Sequence, residues 1–223
     1  MTGLPGASAD PHSPAAAEGA SDASAAPAPA GKSSRRRGSA LTRAIYEATF
    51  EELADVDFEG LAFDKIAARA GTGKSALYRR WSTPAELVLA ALADPVAGFG
   101  TPVTPETGTL RGDLIVMLDA FARVLDEPRG RALVPLLTQR TRHPELFTQV
   151  QRLVTLPHQE ILLRMLRLAV DRGEADPRCV TPRVASVGPR MIFAEAMARG
   201  TASEQEVRAI VDEVLLPLMA PRR

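Results

Sequence analysis

The chain has 223 residues, 45% of them hydrophobic, and its 27 basic and 27 acidic side chains cancel. That length supports one large domain or a small domain joined to a larger one, and the net charge alone does not point to nucleic acid. A single cysteine, Cys179, excludes an internal disulfide and a multi-cysteine metal site. With no apolar run near the ~20 residues of a membrane span and no signal-peptide pattern, the expected setting is the reducing cytoplasm.

Residues 1–31 are dominated by Ala, Pro, Ser, Gly and Asp with little apolar beyond Leu4, a composition that predicts disorder. Lys32 and the run Arg35, Arg36, Arg37 then form a basic arm, so residues 1–37 are read as a tail. From Leu41 the pattern is helical. Leu41, Ile45, Ala48 and Leu53 recur near 3.6-residue spacing, and the helix is expected to end at Asp55–Asp57, where Asp tolerates the left-handed conformation. A short helix at Phe63–Arg69, a turn at Ala70–Thr72 and a second short helix at Gly73–Arg80 follow. Thr83 caps a fourth helix with Pro84 at its first position. Residues 38–95 thus read as one domain, and the Pro- and Gly-rich stretch 96–108 as a linker.

Beyond it, residues 109–223 read as a larger helical domain. Leu114 to Leu125 form an amphipathic helix, Pro135 disturbs the next one, Pro157 interrupts a long helical region from Pro144 to Arg172, and Pro189 kinks a helix capped by Thr181 and stopped at Gly200. Ser203 with Glu206 makes a capping box for the last helix. No stretch alternates long enough to form a strand, so the expected fold class is all-α: an N-terminal helix-turn-helix domain plus a larger C-terminal helical domain for ligand binding and dimerisation.

The informative segment runs from Ile66 to Trp81. Two helices crossing steeply through a short turn need a small residue four before the turn glycine, here Ala67. They need a positive φ at Gly71, and an apolar plug from Leu77 supported by Ile66 and Trp81. Between Asp64 and Glu86 there is no acid, while Lys65, Arg69, Lys74, Arg79 and Arg80 lie in that window. Together with the basic arm, this predicts a face that meets DNA phosphates. A solvated helix surface and an ordinary glycine helix stop are the blander alternatives.

The stretch from Arg37 to Leu92, with "AIYEATFEELADVDFEGLAFDKIAARAG" and "KSALYRRWSTPAELVLAAL", resembles the DNA-binding domain of the tetracycline-repressor (TetR) family, and "GTASEQEVRAIVDEVLLPLM" resembles the last helix of many members. The resemblance implies a homodimeric repressor that binds a near-palindromic double-stranded operator and releases it when a small-molecule effector enters the C-terminal domain. It also implies that Lys74 and Ser75 face base edges, that Tyr78 bonds a phosphate, and that Thr72 and Gly73 offer backbone N–H groups. Arg79 adds to the basic surface, and Arg35, Arg36 and Arg37 reach the minor groove or flanking backbone. The chain departs from the family pattern at Ala62, Ala76 and Pro84, each removing a usual polar contact, and at Asp57, where Gly is common.

In the C-terminal half, the helix around Ala185, Gly188 and Ile192 is apolar or small on nearly all sides, and Val207, Val211, Val214 and Leu218 form a stripe on the last helix. These predict a four-helix dimer interface, with a buried helix of a monomer as the alternative. Met117, Phe121, Leu137, Met165 and Phe193 are candidate lining for an effector cavity, or plain core. No metal-ligand spacing, phosphate loop or nucleophile elbow is present, so no enzyme, metal or cofactor is expected. The rival functions are a redox-sensing regulator acting through Cys179 and a helical adaptor that has lost DNA binding.

Overall fold

The computed structural model describes the backbone of residues 31–100 and 103–222 and the side chains from residue 38 onward. Every regular element among the described residues is helical. The helices are α1 (Gly31–Asp55), α2 (Phe63–Arg69), α3 (Lys74–Tyr78), α4 (Pro84–Ala93), α5 (Leu110–Asp126), α6 (Pro128–Arg131), α7 (Leu133–Leu137), α8 (Pro144–Val150), α9 (Leu156–Asp171), α10 (Pro182–Ala185), α11 (Val187–Arg199), α12 (Glu204–Ala209) and α13 (Leu216–Met219). The expected disorder of residues 1–31 lies almost wholly outside the described residues. The backbone of Arg35, Arg36 and Arg37 continues α1, and their side chains lie outside the description.

Asp57 corrects one expectation. Its backbone is extended (φ −74°, ψ 173°), not left-handed, and its Oδ1 accepts from Gly60 N at 3.0 Å to cap a 3-10 turn at Phe58–Gly60. The side chain stabilises the turn by a local hydrogen bond that a glycine could not make.

Prolines set the remaining interruptions through one mechanism. A proline removes the bond to residue i−4 and its ring crowds that carbonyl, so the helix gives way just upstream. Pro135 separates α6 from α7 at Ala132, and Pro189 separates α10 from α11 at Ser186. Pro157 leaves the long helix unbroken but widens it to a π segment at Gln151–Thr155, and a like segment at Ile210–Leu215 precedes Pro217.

Two buried clusters hold the molecule together. The first joins α1 to α4 through Ile45, Phe50, Leu53, Ile66, Leu77 and Leu87, and it also takes Ala132, Leu133, Leu136, Leu146, Val150 and Val154 from beyond residue 108. The second joins α5, α9, α11 and the last helix through Leu118, Met165, Leu166, Ile192, Val207 and Val211. The start of the 96–108 stretch is folded tightly against α4. Phe99 N donates to Leu92 O at 3.0 Å, Asp94 Oδ1 accepts from the backbone N of Val96 and Ala97, and Arg129 donates to Gly98 O at 2.6 Å.

Candidate nucleic-acid interface

The turn between α2 and α3 is a Schellman closure. Gly71 sits at φ 64°, Gly71 N donates to Ala68 O at 3.2 Å, and Thr72 N donates to Ala67 O at 2.9 Å. A Cβ on Gly71 would meet nothing within 4 Å, so glycine is needed for its backbone conformation and not for space. Leu77 and Ile66 are fully buried, and Ala67 and Trp81 nearly so, which fixes α3 across α2. Trp81 packs on Tyr46 of α1 with ring centroids 5.8 Å apart. Neither short helix has a side-chain N-cap: Ala62 and Gly73 hold those positions. By contrast, Thr83 Oγ1 accepts from Glu86 N at 3.2 Å at the start of α4.

Packing of one face turns the other outward. Gly73, Lys74, Ser75, Tyr78 and Arg79 are exposed and contiguous, with Thr72 half-buried beside them. Tyr78 is 59% exposed although its ring meets Phe63 edge-on at 4.8 Å, a contact that holds the ring and leaves the phenol edge to solvent.

The cations of the acid-free window do not all share this face. Arg69 lies among Glu52 (2.9 Å), Asp55 (2.7 Å) and Glu51 (3.6 Å), and Lys65 is 3.6 Å from Glu52, so these two serve to lock α2 onto α1. Glu52 is buried, and its carboxylate is tolerated there because two cations meet it. Arg80 bonds Thr42 Oγ1 at 2.5 Å and lies over the Trp81 ring, tying the end of α3 to α1. Lys74 pairs with Asp64 at 3.6 Å, and Arg79 has no ion pair among the described residues. The roles of Asp64, Thr42 and Arg80 escaped the sequence reading because each depends on contacts between different helices.

The C-terminal residues are placed differently from the expectation. Ala185, Gly188, Ile192, Val207 and Val211 are buried in the subunit's own second cluster, which leaves Val214 half-buried and Leu218 exposed as the accessible members of that set. A Cβ at Gly188 would lie 3.0 Å from Leu215 and 3.1 Å from Leu118, so the close approach that the glycine permits is to its own chain. Met117, Phe121, Met165 and Phe193 belong to the second cluster, whereas Leu137 packs on the first. One small space between the helices is bordered by Leu114, Leu118, Leu162, Leu166, Val184 and Met219, and holds about 10 Å³. That is room for about one water-sized sphere.

Cys179 is buried, and burial together with nearby Asp176 pushes its thiol pKa up. Both effects disfavour the thiolate that a redox sensor needs. No helix of the described residues is long and apolar enough to cross a membrane.

Comparison with known proteins agrees with this geometry. Residues 45–91 match the family described as bacterial regulatory proteins, tetR family, and residues 104–214 match the tetracyclin repressor-like C-terminal domain. A Mycobacteroides abscessus protein named DNA-binding transcriptional repressor TetR is 30% identical over 186 residues, covering 83% of this chain and 97% of its own length. An uncharacterised HTH-type transcriptional regulator of Mycobacterium tuberculosis is 29% identical over 170 residues, covering 76% and 83% respectively. The solved structure of a TetR family transcription regulator aligns with a TM-score of 0.57 at 24% identity over 81% of this chain and 99% of its own, a likeness of fold.

Proposed function

Because the chain belongs to the TetR family of bacterial transcriptional regulators, we propose that it works in the cytoplasm as a homodimeric repressor whose two α3 helices read a near-palindromic operator. The observation that carries this reading is the outward patch of Gly73, Lys74, Ser75, Tyr78 and Arg79 on a helix whose opposite face is fixed by Leu77. Lys74 and Ser75 read base edges, while Tyr78, Arg79 and the backbone of Thr72 and Gly73 hold phosphates. Arg35, Arg36 and Arg37 extend the contact along the duplex. The working division is 1–37 as the arm, 38–95 as the reader, 96–108 as the linker, and 109–223 as the regulatory and dimerising part.

Dimerisation uses what the subunit leaves accessible on α11 and the chain end, with Met197 at 55% and Leu218 at 50% exposure as its apolar contacts. A small-molecule effector binds by parting α5, α9 and α11. The space bordered by Leu118 and Leu166 is too small for an organic molecule as it stands, and this parting is the strain that moves α4 and releases DNA. The test is competition binding at moderate salt between a duplex from upstream of its own gene and a scrambled duplex. A preference of about 10³ or more is expected; equal affinity for both overturns the reading.

A further inference from the structure

Asp64 is the only acid between Glu59 and Glu86. Its Oδ1 lies 3.6 Å from Nζ of Lys74, the first residue of α3, and both side chains are more than 60% exposed (68% and 63%). An ion pair so exposed contributes little to folding. The other acids near α2, namely Glu51, Glu52 and Asp55, are engaged with Arg69, so none of them substitutes for Asp64 at Lys74. At 3.6 Å the contact is an ion pair longer than a hydrogen bond, so the carboxylate offsets part of the ammonium's charge while all three N–H donors stay available.

We propose that Asp64 is a specificity-determining residue of the reading surface: it offsets the charge that Lys74 presents to phosphate while leaving the lysine's donors for base edges. This rests on the reading of α3 as the DNA-facing helix. On random duplex, an unpaired lysine gains a phosphate contact and releases counterions whatever the sequence. Lysine paired with a carboxylate loses part of that indiscriminate attraction, because the pair carries no formal net charge. On the operator, a suitably placed acceptor such as the O6 and N7 of a guanine takes the donors, a contact that depends on hydrogen bonding and not on net charge alone. Asp64 therefore costs affinity chiefly on the wrong sequence.

The experiment is a charge cycle on the full chain, using a duplex selected by the unchanged protein from a random library and a scrambled duplex of the same length. Asp64→Asn should leave thermal unfolding unchanged, tighten binding to scrambled duplex, and steepen its salt dependence by roughly 0.9 in log–log slope. The ratio of selected to scrambled affinity should fall by about three- to tenfold. Adding Lys74→Gln to Asp64→Asn should return the scrambled-duplex slope to that of the unchanged protein, since both states are neutral at this place. If Asp64→Asn shifts neither affinity nor slope, or lowers affinity for both duplexes equally, the proposal fails. It also fails if the Asp64→Asn shift is the same with Lys74→Gln present, for then Asp64 acts as a general surface charge. If the unchanged protein selects no sequence at all, the DNA-reading assignment of α3 fails first, and this proposal with it.

Discussion

Glu59 Oε1 accepts a hydrogen bond from Arg142 Nη1 at 2.9 Å, bridging 83 positions of sequence. The same carboxylate lies 3.9 Å from His143 Nε2, and the His143 ring meets Phe58 edge-on at 5.1 Å. The turn that feeds α2 is thereby tied to the loop between α7 and α8.

Arg142→Ala should therefore alter operator affinity more than it alters stability. The pair is largely exposed, so the loss of folding free energy should stay below about 1 kcal/mol and shrink further at high salt. Urea unfolding alongside operator titration checks both quantities. A loss of several kcal/mol with unchanged DNA affinity would show a purely structural strut.

Substitutions at Gly71 and Gly98 should act by different routes. Gly71→Ala places a side chain at φ 64° in open space, which costs about 1–2 kcal/mol, and Gly71→Asn should cost less. Gly98→Ala drives a Cβ to 2.2 Å from the Ala91 carbonyl oxygen, a backbone atom that cannot swing away. The linker must lift, with the Phe99–Leu92 and Arg129–Gly98 bonds lost, so a shift of about 3 kcal/mol or more in urea unfolding is expected.

Arg69→Leu leaves the buried Glu52 carboxylate with only Lys65. A stability loss of about 2 kcal/mol is expected, below the usual cost of orphaning a buried charge because the second cation remains. Glu52→Gln in the same background should recover part of it, which equilibrium unfolding of the double variant measures.

His158 gives the fold an acid sensitivity. Its Nδ1 lies 2.7 Å from the Val154 carbonyl oxygen, its ring meets Phe99 edge-on, and burial lowers its pKa below 6.5 despite that hydrogen bond. A depressed folded value means that the unfolded chain takes the proton first. The contribution is complete above pH 6.5 and is lost as pH falls through the folded value. Thermal midpoints measured from pH 7.5 to 5 should drop, and less so for His158→Gln; parallel curves would exclude His158 as the cause.

Lys74→Ala and Tyr78→Phe should separate base reading from backbone holding. The first should cost about 1–3 kcal/mol on the selected duplex and relax preference at one base step. The second should weaken all duplexes by about 1 kcal/mol without changing their order. Competition binding against single-base variants of the selected duplex distinguishes the two patterns.

The legible part of this chain was local. Gly71, the Thr83 cap and the Gly200 stop are each dictated by a few neighbouring residues, and the structure has them at φ 64°, with a 3.2 Å capping bond, and at φ 85°. What sequence could not say was which surface buries an apolar residue. The stripe of Val207 and Val211 reads identically whether it faces a second subunit or, as here, its own core. The charge window pointed to the right domain without separating its cations, for a related reason. Lys65 and Arg69 looked available only because the acids that meet them, Glu51, Glu52 and Asp55, stand on another helix. Leu137 and Phe121 are alike in apolar character, and only the tertiary packing separates them, Leu137 on the first cluster and Phe121 on the second.

The apolar cluster beneath the reader draws on Leu133, Leu146, Val150 and Val154, which the ribosome makes after residues 38–95. Those residues are added at roughly 5–20 per second, so the nascent reader waits several seconds with one wall of its interior missing. A fragment cut at the linker would carry that bare wall permanently, and would be prone to clump even though its helix-turn-helix sequence is intact.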